Sequence, residues 1–209
     1  MKTSPDKILL PTAYFGPVEY FYYLNKYEQA VIEIDETWPK QTYRNRTLIV
    51  TDKGKQALTV PVTKPLGNRS KTKDITIFYD EHWPQKHWRA IETAYSNSPY
   101  FLYYSDEIRE ALFVETEFLI EKNDRLTDLI CRLLGIDCNI SYSETFQKTP
   151  TKEYMDLRYK ITPKQPSTLD HFPPYIQVFS DKQPFVPNAG ILDLLFCLGP
   201  EAKNYLDQL

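Results

Sequence analysis

Apolar and polar positions alternate between two periods along the chain, and the changes of period mark its elements. Residues 7–10 form a short apolar run and predict a strand. Pro17 then suits the first turn of a helix, where a missing N–H costs nothing. Val18, Phe21, Tyr22 and Leu24 give that helix an apolar face through about Lys26. The run Ala30-Val31-Ile32-Glu33-Ile34 predicts a second strand. Strand, helix and strand in this order make a right-handed parallel unit.

Two β-rich runs, TLIV at 47–50 and ALTVPV at 57–62, flank the glycine-containing TDKGKQ and predict a hairpin. The basic loop KPLGNRSKTK follows, and then DITIFY at 74–79 as a further strand. Pro84 opens a helix to about Asn97 with Trp88, Ile91 and Tyr95 on one face, and Ser98-Pro99 breaks it. A short helix is expected over 106–113. The strongest helical period runs from 116 to 134, with Phe118, Leu126, Leu129, Ile130, Leu133 and Leu134 on one side and Gly135 as its stop. CNISYS at 138–143 and YIQVF at 175–179 read as strands. NAGILDLLFCLG and EAKNYL read as two terminal helices split by Gly199-Pro200. Between these parts, residues 147–174 carry five prolines and no sustained period. They predict a strap packed on the body, and long loops of this kind often cover sites. The expected architecture is a single α/β domain over 1–209. It has a mixed sheet, made of an N-terminal βαβ unit plus a hairpin, and a helical C-terminal half.

Composition narrows the function without naming it. A chain of 209 residues can bury a real core. A net charge of −3 argues against a general nucleic-acid binder, whose domain is basic. Three cysteines without close pairs, Cys131, Cys138 and Cys197, form neither a disulfide framework nor a zinc site. The start MKTSPDKILLP has no signal-peptide apolar stretch, and no run reaches the ~20 apolar residues of a membrane span. A cytoplasmic location is expected. No Walker-type loop, Gly-x-Gly-x-x-Gly, Gly-x-Ser-x-Gly or His-Glu-x-x-His is present.

The candidate chemistry comes from geometry. Ligands of parallel sheets gather outside the carboxyl ends of the strands. The loops 11–17 and 37–46 leave those ends, so parallel neighbours would bring them to one edge. Tyr14, Gly16 and a helix N-terminus would then face Lys40, Gln41, Arg44, Asn45 and Arg46. Helix starts favour anions, and arginine supplies forked donors. The competing account is a solvated basic loop anchored by Trp38 and Tyr43. His87, flanked by Lys86 and Trp88 in a helix's first turn, is a candidate general acid or base. The competing account is a histidine bonded to backbone. His82, His87 and His171 do not make a metal site by spacing. Asn188 suits the N-cap of the helix after it, and Asp193 in ILDLLF is expected on the outer helix face.

Four stretches in order, PTAYFGPVEYF, YRNR, TVPV with Lys64, and KHWRAIETAYSNSPYF, resemble the WbqC-like family. The tail VFSDKQPFVPNAGILDLLFCLGPEAKNYL is similar to tails of a Bacteroidetes-type branch. Many members begin the first motif with Gln-Pro, whereas this chain has Leu10-Pro11. The resemblance implies a link to surface-polysaccharide and O-antigen gene sets. It implies an enzyme transferring an acyl or aminoacyl group to a nucleotide-linked amino sugar, and it names no cofactor. On this reading Tyr14 and His87 are catalytic. Gly16, Gln41, Arg44, Asn45, Arg46, Lys64, Tyr95 and Tyr100 line the substrate cleft, with Arg44 and Arg46 holding a small anionic or nucleotide-linked ligand. The alternative is a non-catalytic binding or interaction module.

Overall fold

The computed structural model describes residues 5–80 and 82–209; Met1 to Ser4 of the opening segment lie outside it. The predicted βαβ unit forms as β1 (Lys7–Pro11), α1 (Val18–Lys26) and β2 (Gln29–Glu33), with β1 and β2 parallel. The hairpin is β3 (Arg46–Thr51) and β4 (Gly54–Thr59). Short strands β5 (Val62–Thr63) and β6 (Thr76–Ile77) pair antiparallel, so DITIFY contributes two residues of strand instead of six. Helices α2 (Trp83–Tyr95), α3 (Phe101–Phe113) and α4 (Leu119–Leu134) follow, then β7 (Asn139–Tyr142) and β8 (Tyr154–Asp156). Helices α5 (Ile191–Leu198) and α6 (Ala202–Asp207) close the chain.

The main sheet has the order β7-β2-β1-β8, all parallel. Ile8, Leu10, Ala30 and Ile32 share its inner face and are buried among the helices. Gly135, at φ 67°, ends α4 as expected, since only a residue without Cβ takes this conformation cheaply. Lys122 is buried and donates to the carbonyls of Ala111, Leu112 and Val114 at the end of α3, closing that helix from its neighbour. Burial lowers its pKa to about 8.

Four local expectations change. The strap contains β8, which pairs with β1 and completes the sheet; Glu19 pins its far end by accepting from Ser167 and from the N–H of Thr168. YIQVF is not a strand. Two prolines precede it, Gln177 spends its side chain on the backbone of Val186, and the N–H of Ser180 turns back to the Gln177 carbonyl. Asn188 does not cap α5. It sits at φ 48° and its Oδ1 accepts from the N–H of Glu19, so it caps α1 across 169 residues. Asp193 is not on an outer face. It is fully buried, accepts from Tyr175 and Gln177, and burial raises its pKa.

The 188–191 segment joins three elements. Val18 N–H donates to the Ala189 carbonyl, Ile191 N–H to Gly16, and Gly190 N–H to Leu48 of β3. A Cβ on Gly190 would stand 2.5 Å from Thr47 Oγ1 and 2.7 Å from the Leu48 carbonyl oxygen. Glycine is what lets α5 begin this close to the hairpin.

Candidate functional site

Because β1 and β2 are parallel, the loops after them do share the carboxyl edge of the sheet. The N–H of Tyr14 donates to the Tyr43 carbonyl at 2.9 Å. Tyr14 and His87 also meet: the Tyr14 hydroxyl lies 2.8 Å from Nδ1 of His87. Both are buried, with Trp83 and Phe15 packed edge-on around them. Burial lowers the His87 pKa to about 4, against a smaller opposing effect of a hydrogen bond to the Thr59 backbone. The imidazole is therefore neutral at pH 7, and burial drives the Tyr14 pKa well above its usual value. The pair is a closed hydrogen-bonded unit in an aromatic setting.

Arg44 is committed to protein partners. Arg44 is 1% exposed and binds Glu36 Oε1 at 2.6 Å, with a second donor on the Arg158 carbonyl. Arg158, also buried, binds Glu33 and Asp156, each at 2.9 Å. These five charges fill the gap between the carboxyl ends of β1, β2 and β8, and their mutual pairing is what makes their burial tolerable. Phe146 and Tyr159 flank the Arg158 guanidinium. Arg46 is half-buried and its Nε has no partner among the described residues. Asn45 donates to the Val60 carbonyl and holds the hairpin's end.

The remaining sequence candidates scatter. Gly16 faces the Tyr20 ring and gives its carbonyl to Ile191, while Asn188 and Ala189 take the N–H groups that open α1. That helix start is thus covered by the chain's own tail. Gln41 is exposed at the same edge. Lys64 lies on the loop after β5. Tyr95 is buried and accepts from the Val50 N–H, and Tyr100 packs against Gly199.

Beside the shared edge lies a polar crevice that the motifs did not mark. It has a volume of about 160 Å³ and is lined by Thr12 after β1, Tyr20 on α1, Asp124 and Asp128 on α4, and Ser141 and Tyr142 on β7. Asn123, next to Asp124, donates to Thr12 Oγ1 and to the Arg44 carbonyl, tying the crevice wall to the edge loops. Tyr142 donates to Asp124, yet burial raises the Asp124 pKa to about 6, with Asp128 and Glu121 adding like charge. The only sequence signal was the four-residue spacing of Asp124 and Asp128, which ordinarily marks a solvated helix face. A larger groove of about 1030 Å³ runs between α3 and α4, but its carboxylates are all exposed.

Among the described residues, no cluster of three or more His, Cys, Asp or Glu side chains could hold a metal ion, and no helix is long and apolar enough to cross a membrane. Cys131 and Cys197 are buried free thiols.

This is an α/β protein organised around the carboxyl edge of a four-stranded parallel sheet. The WbqC-like protein family profile matches residues 12–168, and the chain belongs to that family. It is similar to the uncharacterized protein Rv1507c of Mycobacterium tuberculosis, at 27% identity over 90% of this chain and 91% of that one. No solved structure matches the chain.

Proposed function

We propose that the chain is an enzyme of surface-polysaccharide sugar synthesis that transfers an acyl or aminoacyl group to a nucleotide-linked amino sugar. The observation that carries this reading is the convergence of the 12–17 and 34–46 loops on one carboxyl edge, next to a polar crevice. That edge is where α/β sheets take their ligands. Lys40, Gln41, Lys71 and Lys73 stand exposed along it, Lys71 and Lys73 sharing the Asp35 carboxylate at 2.7 and 2.9 Å, and Lys164 of the strap reaches the Lys40 carbonyl. This basic rim supplies solvent-facing donors for the phosphates of a nucleotide-linked sugar, whereas Arg44 is buried with its partner Glu36. Arg46, with its unpartnered Nε, remains a candidate donor. In the transfer, the protonated acceptor nitrogen first gives a proton to a carboxylate, and the neutral nitrogen then bonds to the acyl carbon and passes its second proton to the leaving group. The bond from that carbon to its leaving oxygen or sulfur breaks, and the leaving group keeps the electron pair. The Tyr14–His87 pair acts in this reading by holding the edge loop in shape.

Thermal melting with a panel of nucleotide-sugars and acyl thioesters tests the reading. Stabilisation by at least one nucleotide-linked amino sugar, lost on Lys71→Ala with Lys73→Ala, is the expected result. Unchanged melting across the whole panel overturns it. A binding module is the second reading, favoured by Leu102 and Tyr103 of α3, which are 84% and 76% exposed.

A further inference from the structure

The crevice between α1, α4 and the end of β7 has an unusual balance of groups. Asp124 and Asp128 bring carboxylates, and among the described residues no cationic side chain lines the cavity. The Asp124 carboxylate has one oxygen engaged by Tyr142. Tyr20 is 1% exposed and lines the cavity, but its hydroxyl has no hydrogen-bond partner among the described residues. A hydroxyl that opens onto a cavity without a protein partner is free to bond to whatever occupies that space. Thr12 accepts from Asn123 and still has a hydroxyl proton and a second lone pair to offer.

The free oxygen of Asp124, the Tyr20 hydroxyl and the Thr12 hydroxyl give three acceptors in one small polar space. An anion would meet the Asp124 and Asp128 carboxylates there, with no cation among the lining residues to offset them. Two carboxylates without a third ligand are a poor cage for a divalent ion, which takes six or more oxygens. An ammonium group has three N–H donors, one positive charge and no acceptor, and so matches the set. The volume admits the amine-bearing edge of a ring as well as the nitrogen.

We infer that this crevice receives the protonated amino group of the acceptor, with Asp124 as its charge partner and Tyr20 and Thr12 as the remaining acceptors. The acceptor role rests on the transferase reading; the recognition of a primary amine does not.

The test is titration of the full chain with glucosamine and with N-acetylglucosamine, followed by heteronuclear NMR. Saturable shifts at Tyr20 and Asp124 with glucosamine are expected, at least about tenfold weaker with N-acetylglucosamine, since acetylation removes the charge and two donors. Asp124→Asn should weaken glucosamine about tenfold or more, whereas the remote Asp106→Asn should not. If Asp124→Asn unfolds, the wild-type preference for the free amine still decides. Equal affinity for the two sugars, or no saturable shift across the millimolar range, overturns the inference. Amine binding without any response to nucleotide-sugars or acyl donors sinks the transferase reading and leaves the amine site standing. Nucleotide-sugar binding indifferent to N-acetylation does the reverse.

Discussion

Tyr14 and His87, 73 residues apart, share a buried 2.8 Å hydrogen bond that ties the loop after β1 to the first turn of α2. Which group donates depends on the imidazole tautomer, and burial keeps the ring neutral by lowering its pKa to about 4. The sign for stability follows. Between pH 6.5 and about 4 the unfolded chain binds a proton that folded His87 refuses. The contribution is complete above pH 6.5 and is lost as pH falls toward 4, by up to about 3 kcal/mol. Urea titrations of wild type and His87→Gln across this range should diverge by a sizeable part of that amount. Parallel curves would show that His87 protonates freely in the folded protein.

Asp124 has the opposite sign. Its folded pKa is raised to about 6, so the folded chain holds a proton that the unfolded chain has already released. Wild type therefore loses stability as pH rises from about 4 to 6. Asp124→Asn should gain on wild type over that interval by about 1–2 kcal/mol, allowing for solvent at the crevice mouth. Carboxyl carbon NMR titration of wild type gives the pKa directly, and an ordinary aspartate value would remove this effect.

Arg44 is buried against Glu36, and its removal leaves a carboxylate without its cation. Arg44→Ala should cost about 3–5 kcal/mol in chemical denaturation. Replacing both partners, as Arg44→Met with Glu36→Leu, should recover most of that loss. A single-variant cost below about 1 kcal/mol would mean that Arg44 is free for a ligand after all.

Asn188 accepts from the Glu19 N–H and donates to the Glu19 carboxylate. Asn188→Ala should cost about 1–2 kcal/mol by loss of the cap. Asn188→Asp keeps the acceptor but sets a second carboxylate against Glu19, so it should be worse than Asn188→Gly, which relieves the positive φ. Melting temperatures in the order Asn, Gly, Asp are expected, and Asp above Gly contradicts the pairing.

Gly190→Ala should destabilise by about 3 kcal/mol, because the new methyl meets the β3 backbone and Thr47. Gly16→Ala should cost only about 1 kcal/mol, since its contacts are 3.1–3.2 Å to the Tyr20 ring and the Ala13 side chain, which can shift. Equal losses in denaturant would mean that the 188–191 segment moves away from the hairpin.

Local pattern was enough for the elements whose signal lies within a few residues. Pro17 and the apolar face after it marked α1, Gly135 marked the end of α4, and the β-rich runs around Gly54 marked the hairpin. The parallel order of β1, α1 and β2 also followed, and with it the shared edge of the 11–17 and 37–46 loops. The three residues of β8 were beyond such reading, because a strand that short has no period and is defined by β1, to which it pairs. YIQVF shows the converse: a strand-like composition remains irregular when no partner strand is present to take its backbone.

Polar side chains depended most on the tertiary structure. Arg44, His87, Asn188 and Asp193 each carry an identity compatible with a ligand site, a cap or a solvated face. Which role each takes is decided by what lies opposite: Glu36 for Arg44, Tyr14 for His87, Glu19 for Asn188, and Tyr175 with Gln177 for Asp193. Asp124 was hidden for the same reason, since its spacing from Asp128 means a wet surface until β7 and Tyr20 close over it. The sequence by itself determined where the backbone turns regular, because hydrophobic period and turn residues act locally. Only the folded chain decided which charges are spent on one another and which polar groups remain unpaired, because burial and pairing are set by neighbours brought together from distant positions.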